Sequence, residues 1–170
     1  MKLPLNVKLG IIAGLVNCVA WFGIAKAFGY YTIAVDQYRY FVTLILLCLG
    51  ICVSVYYERK TAGGFIEFKT AMKTGFLYTL ILGFFLAVFN FIYYKFIAVD
   101  AIDYFLNEAR RTMEEGKVKP EDIDKNIEVL KSYFGPFRMM MSTVIMGIIL
   151  SLLSAAIFRK KNPIVPFSEN

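Results

Sequence analysis

Charged residues divide this chain into long uncharged stretches and short polar ones. Four stretches lack Asp, Glu, Lys and Arg altogether: Leu9 to Ala25, Tyr40 to Tyr57, Thr74 to Tyr94 and Met139 to Phe158. A helix rises about 1.5 Å per residue and the bilayer core is about 30 Å thick, so roughly 17 to 25 apolar residues make one crossing. Each stretch meets that length, and none alternates apolar with polar positions as barrel strands would. The pattern predicts four transmembrane helices at about residues 9–28, 40–57, 74–97 and 139–158. Lys26 and Lys95 fall at helix ends, where an aliphatic stem lies along apolar surface while the ammonium reaches water.

Between the third and fourth stretches the periodicity changes. Ile102, Phe105, Leu106, Ala109 and Met113 recur every three or four residues, the stripe of an amphipathic helix, and Ile123, Ile127, Leu130 and Phe134 repeat the pattern. Pro120, Glu121 and Asp122 suit a helical first turn, and Gly135 with Pro136 ends the second stripe. Residues 100–136 are therefore expected to form a helical hairpin joined at Gly116 to Lys119. Alternatively, its first helix continues the third span outward. The expected class is all-α: one integral membrane domain, a four-helix bundle with an amphipathic hairpin inserted between spans three and four.

Within the spans, small residues recur at every fourth position. They are Gly10, Gly14 and Cys18; Gly50 and Ser54; Gly75, Thr79, Gly83 and Ala87; and Thr143, Gly147, Ser151 and Ala155. Lipid tails are as apolar as leucine, so helices in a bilayer associate by close approach, which small side chains permit. Gly10, Gly14, Gly75, Gly83, Gly147 and Ser151 are the expected packing positions, within one bundle or between two copies. Asn17 and Asn90 are the most polar groups inside the spans, placed to hydrogen-bond across the bundle or to line a solute path. No carboxylate, Lys, Arg or His falls within the four stretches, which leaves proton relays and charged-substrate carriers without their usual machinery.

Composition adds little that the pattern lacks. Hydrophobic residues make up 58% and charged residues 19%, and 16 Phe, 11 Tyr and one Trp exclude disorder. The absence of His and an odd count of three Cys leave a disulfide framework, a zinc site or histidine chemistry short of parts. Cys48 and Cys52 share a helix face, but buried cysteines act as small inert hydrophobes. Met139, Met140 and Met141 point in different directions on a helix and are read as packing, not as a copper site. The hairpin acids are read as a solvated face with pairs such as Glu121 with Lys125 and Glu128 with Lys131, and no spacing matches a calcium loop. No nucleophile elbow, phosphate loop, zinc-protease motif or lipidation signal occurs, so no catalytic residue, metal or cofactor is assigned.

Net charge is +6. The start of the chain, the segment Glu58 to Lys73 and the tail after Phe158 carry nine Lys and Arg against three Glu, close to the helix ends. Short cationic segments stay on the cytoplasmic side, which places both termini there and the hairpin outside. Tyr30, Tyr31, Tyr38, Tyr40, Tyr93, Tyr94 and Tyr133 are expected in an outer interfacial belt, with Tyr56 and Tyr57 in an inner one. The basic charge is accounted for by orientation and anionic lipid, without nucleic acid. Lys2 and Lys8, an apolar run and Ala25-Lys26-Ala27 also fit a cleaved signal peptide. Asn17, glycines at packing intervals and three further spans favour an uncleaved first helix.

In the loop before the third span, Gly63, Gly64, Phe65, Ile66, Glu67 and Phe68 lead to Ala71, Lys73 and Gly75. This pattern resembles that of a bacterial four-span membrane family known as domain of unknown function 4199. The resemblance extends to the polar insertion and to the small-residue last helix ending in Arg159, Lys160, Lys161, Asn162 and Pro163. It implies no activity, cofactor or site residue. Physically, Gly63 and Gly64 permit a sharp turn, while Phe65, Ile66 and Phe68 are expected to dip into the interface with Lys69 and Lys73 on anionic headgroups. The expected function is a non-enzymatic structural or partner- or lipid-binding protein of the bacterial inner membrane, with lipids, a second copy or another membrane protein as partner. The alternative is a transport component for a neutral or lipid-like solute, with Asn17, Asn90, Thr79 and Ser151 lining its route.

Overall fold

A computed structural model describes residues 3–29 and 33–160. Six helices follow in order: α1 (Leu5–Phe28), α2 (Ile33–Thr61), α3 (Phe68–Ile92), α4 (Ala101–Glu115), α5 (Pro120–Tyr133) and α6 (Pro136–Phe158). The chain is all-α, and α1, α2, α3 and α6 each supply a segment long and apolar enough to cross a membrane: Leu5–Phe28, Gln37–Thr61, Phe68–Ile97 and Pro136–Phe158. The four run alternately up and down. One end of the bundle holds the α2–α3 loop, the start of α1 and the end of α6; the other holds the α4–α5 hairpin. Tyr30, Tyr31 and residues 161–163 lie outside the described residues.

The helices are longer than the uncharged stretches because polar residues at a helix end do not stop the backbone hydrogen bonding. This matters most in α2, which begins at Ile33 and carries Arg39 inside its spanning segment. The expectation that no carboxylate, Lys, Arg or His lies within a span is therefore corrected. A charge at the edge of an apolar run was read as the boundary, whereas the helix passes through it.

α2 and α3 form the middle of the bundle and touch each other, with α1 packed on both from one side and α6 from the other. A shared core runs through Trp21, Leu47, Ile51, Val55, Tyr78, Leu82 and Leu86. Large apolar side chains such as Val19, Phe41, Leu49, Phe84, Ile145 and Ile157 lie on the outside, the arrangement that hydrocarbon rather than water accommodates.

The small residues act at the contacts. A methyl group on Gly147 would collide with the whole Thr79 side chain. One on Gly75 would lie 2.6 Å from Ser151 Oγ, one on Gly14 2.7 Å from the Phe85 ring and one on Gly10 3.0 Å from Ile81. Gly83 differs: its nearest neighbour would be Met140 at 3.6 Å, an ordinary contact. Gly50 receives the ring of Tyr78, whose hydroxyl donates to the Leu46 carbonyl across the α2–α3 interface at 2.8 Å.

The α2–α3 loop is tied to the end of α6. Gly63 and Gly64 adopt φ of +74° and +91°, the left-handed turn that glycine permits. The turn lets Ile66 pair with Lys160 through two backbone hydrogen bonds of 3.0 Å. Arg59 Nε donates to the Gly64 carbonyl at 2.9 Å, and Lys160 Nζ lies 5.5 Å from the Phe65 ring centre. Ile66 is buried in the core instead of dipping outward, while Phe68, Lys69 and Lys73 are exposed.

At the opposite end α3 does not run on into α4. It closes with a π-helical turn, Tyr93–Ile97, in which Ala98 N–H bonds the Tyr93 carbonyl at 2.8 Å, and the chain then bends into α4. The hairpin joint falls between Glu115 and Pro120, and the left-handed residue there is Lys117 at φ 57°, not Gly116. Arg110 bridges α4 to Asp124 of α5 at 2.8 Å, and Arg111 pairs with Glu115 at 3.0 Å. The expected Glu121–Lys125 and Glu128–Lys131 pairs are not among the ion pairs of the described hairpin residues. Pro120 and Pro136 each occupy a first helical turn, where the missing N–H costs nothing.

Candidate functional site

The hairpin end of the bundle contains a cavity of about 230 Å³ between α2 and α6. α1 contributes Trp21, α2 Arg39, Thr43, Leu44 and Leu47, α3 Leu86 and Asn90, the π-helical turn Tyr94, and α6 Met139, Ser142, Thr143 and Met146. Tyr133 and Phe134, at the end of the hairpin, complete it. Phe134 meets the rings of Tyr94 and of Phe105 on α4, each at 5.6 Å, so the hairpin is fastened to the π-helical turn at the rim of the cavity.

Arg39 is 2% exposed. Its guanidinium lies 4.5 Å from the centre of the Tyr93 ring and 5.3 Å from that of Trp21, and Nη2 donates to the Tyr93 hydroxyl at 2.5 Å. Aromatic faces attract a cation through the ring quadrupole, and more strongly where water is excluded. Tyr93 itself is fully buried, with the Phe89 ring tilted against it at 5.9 Å. The expected tyrosine belt is thus corrected at this position: the first residue of the π-helical turn faces inward to hold Arg39, whereas Tyr38, Tyr40, Tyr56, Tyr57 and Tyr133 are exposed. π-helical turns interrupt the regular register, a device frequent at functional sites.

The polar network continues into α1. Asn17 Nδ2 and Trp21 Nε1 donate to the Thr43 hydroxyl at 3.0 and 3.2 Å, and Thr43 donates to the Arg39 carbonyl one turn back at 2.9 Å. Asn17 is therefore a cross-bundle tie. Asn90 behaves differently: it is 2% exposed, lines the cavity, and its Oδ1 accepts no hydrogen bond. A buried carbonyl oxygen left unmatched costs about 1 to 3 kcal/mol, which an incoming donor would recover.

Asn17, Asn90, Thr79 and Ser151 do not share one path. Thr79 bonds the Gly75 carbonyl at 3.0 Å and abuts Gly147, and Ser151 abuts Gly75. Only Asn90 of the four lines the cavity. Gly63, Gly64, Phe65, Phe68 and Lys73 lie at the far end of the bundle. Cys48 is exposed and Cys18 and Cys52 are half-buried, all as free thiols. Among the described residues no three His, Cys, Asp or Glu gather as a metal site.

Sequence reasoning passed over Arg39 and Tyr93, although a signal existed. Arg39, Thr43, Leu47, Ile51 and Val55 follow at intervals of four, so the residue at the head of the buried stripe had to face the bundle as well. Removing the acceptor tests this geometry. Tyr93→Phe should lower the unfolding free energy in detergent by about 1.5 to 3 kcal/mol, the worth of a hydrogen bond to a charged group. The exposed Tyr40→Phe should leave the SDS unfolding midpoint in place, and equal effects would contradict the geometry.

Comparison with curated proteins and with solved structures finds no match to this chain. Residues 8–160, from the second turn of α1 through the Gly63-Gly64 loop and the hairpin to the end of α6, match the family described as "Protein of unknown function (DUF4199)", and the chain belongs to that family.

Proposed function

We propose that this protein is a non-enzymatic, multi-pass protein of a bacterial cytoplasmic membrane that holds a lipid in the cavity between α2 and α6. The observation that carries this reading is the lining itself. Leu44, Leu47, Leu86 and Met146 provide apolar wall, while Arg39, Asn90 and Ser142 supply polar groups to the same space. Only an amphiphile satisfies both. Sites for drug-sized ligands run to about 300 to 1,000 Å³, so 230 Å³ suits a headgroup and its first methylenes, with the tails lying along the apolar outside of the bundle. These polar groups can bind and orient a headgroup; among the described residues that line the cavity there is no carboxylate or histidine to act as a general base, which supports binding over catalysis.

The orientation assigned here puts both chain ends and the α2–α3 loop on the cytoplasmic side. The nine cations against three acids at that end support it. The cavity then opens at the outer leaflet. Native mass spectrometry in mild detergent tests the lipid reading: one phospholipid should stay with each chain. Ser142→Trp, which fills the cavity from α6, should abolish that adduct. Wild-type chains without lipid, or an adduct indifferent to Ser142→Trp, would overturn the proposal.

A further inference from the structure

We infer that the lipid held in the cavity carries a hydrogen-bond donor in its headgroup, a hydroxyl or a primary ammonium, and that the Asn90 carboxamide reads it. This rests on the lipid reading above and adds the headgroup chemistry to it.

The inference starts from Asn90. It stands in the last turn of α3, just before the π-helical turn, and lines the cavity while only 2% exposed. Its Oδ1 is buried and accepts no hydrogen bond. Two hydroxyls lining the same cavity offer no remedy, since Thr43 donates to the Arg39 carbonyl at 2.9 Å and Thr143 to the Met139 carbonyl at 3.0 Å. Beside apolar wall such as Leu86 and Met146 an unmatched acceptor is costly, and a donor brought by the occupant recovers that cost.

Headgroups differ in whether they bring one. The hydroxyls of a glycerol headgroup donate, as do the N–H groups of ethanolamine. Phosphate and ester oxygens only accept, and the quaternary nitrogen of choline carries no hydrogen. A site built around such a bond rejects the analogue lacking the donor, because its own polar group is then left unpaired. Donor capacity, not net charge, is the property on which Asn90 discriminates.

Trp21 is the sole tryptophan and lines the cavity, so the protein contains its own reporter. Full-length protein is reconstituted in unbrominated phosphatidylcholine vesicles, and one of four lipids brominated on its acyl chains is titrated in as a quencher. The four form two pairs matched in charge. Phosphatidylglycerol is set against phosphatidylmethanol, which lacks the hydroxyls, and phosphatidylethanolamine against phosphatidylcholine, which lacks the N–H groups. In at least one pair the donor lipid should quench Trp21 saturably, at a mole fraction about fivefold lower than its partner, the factor expected for one hydrogen bond to a buried acceptor. An advantage confined to the first pair identifies a hydroxyl as the donor, and one confined to the second an ammonium. Asn90→Leu keeps the size of the side chain and removes the acceptor, so it should bring the members of each pair to equal strength. Thr143→Val, on the same cavity, should leave the preference in place.

Saturable quenching of equal strength within both pairs would overturn the headgroup inference while leaving the lipid reading intact. These wild-type pairs decide the matter even where Asn90→Leu fails to fold. A preference that survives Asn90→Leu would overturn the assignment to Asn90. Quenching that never saturates with any lipid would overturn both the inference and the lipid reading.

Discussion

Gly147→Val should be among the most damaging single changes in this protein, and Thr79→Gly should relieve most of the damage. The valine side chain would start where the Thr79 side chain now lies, at the α3–α6 interface, where these two helices pack most extensively. Over-packing a close contact costs about 1 to 3 kcal/mol and sometimes more. Here the upper part of that range is expected, because even the Thr79 Cβ would be 2.8 Å away and cannot rotate aside. Removing the Thr79 side chain vacates that volume, so the double variant should be more stable than Gly147→Val alone. That non-additivity is the signature of direct contact. Gly83→Ala serves as the control, since its new methyl meets only ordinary contacts beginning at 3.6 Å. Unfolding in graded SDS reads all of these. Equal losses for Gly83→Ala and Gly147→Val would show that small residues act here through something other than helix approach.

The second large effect is expected in the loop. Ile66 is 4% exposed and packs in the main core, held by paired backbone bonds to Lys160. Ile66→Ala should cost about 2 to 5 kcal/mol, the range for removing a buried branched side chain. Phe68→Ala should cost far less, Phe68 being 39% exposed. Interfacial anchoring of this motif predicts the reverse order, so the same SDS titration discriminates between a clasp and an anchor. A larger loss for Phe68→Ala than for Ile66→Ala would contradict the clasp.

The sequence revealed some levels of this structure and hid others, for physical reasons. Spans were legible because a bilayer demands continuous apolar length, which any reader of the chain can count. The hairpin was legible because Ile123 and Leu106, both buried, sit on stripes of helical period. Gly147 and Gly75 could be placed at contacts from their spacing alone, but the difference between Gly83 and Gly147 depends on which side chain lies opposite, and that is a tertiary fact. Arg39 was hidden because the rule that charges end spans holds for solvated charges, and this one is enclosed by Trp21 and Tyr93 from two other helices. Tyr93 was hidden by its neighbour: consecutive tyrosines at a helix end suggest an interfacial belt, and only the π-helical turn directs the first of them inward. Ile66 pairs with a residue at the other end of the chain, a partnership that no local pattern encodes.

The claim on which this account depends is that the chain crosses the bilayer with its hairpin and its α2–α3 loop on opposite sides. In a variant with Cys18, Cys48 and Cys52 replaced by Ser, single cysteines at Val118 and at Ala62 can be challenged with a membrane-impermeant maleimide. In intact cells the account predicts labelling of Val118→Cys and none of Ala62→Cys until the membrane is permeabilised. Labelling of both positions from the same side would contradict it.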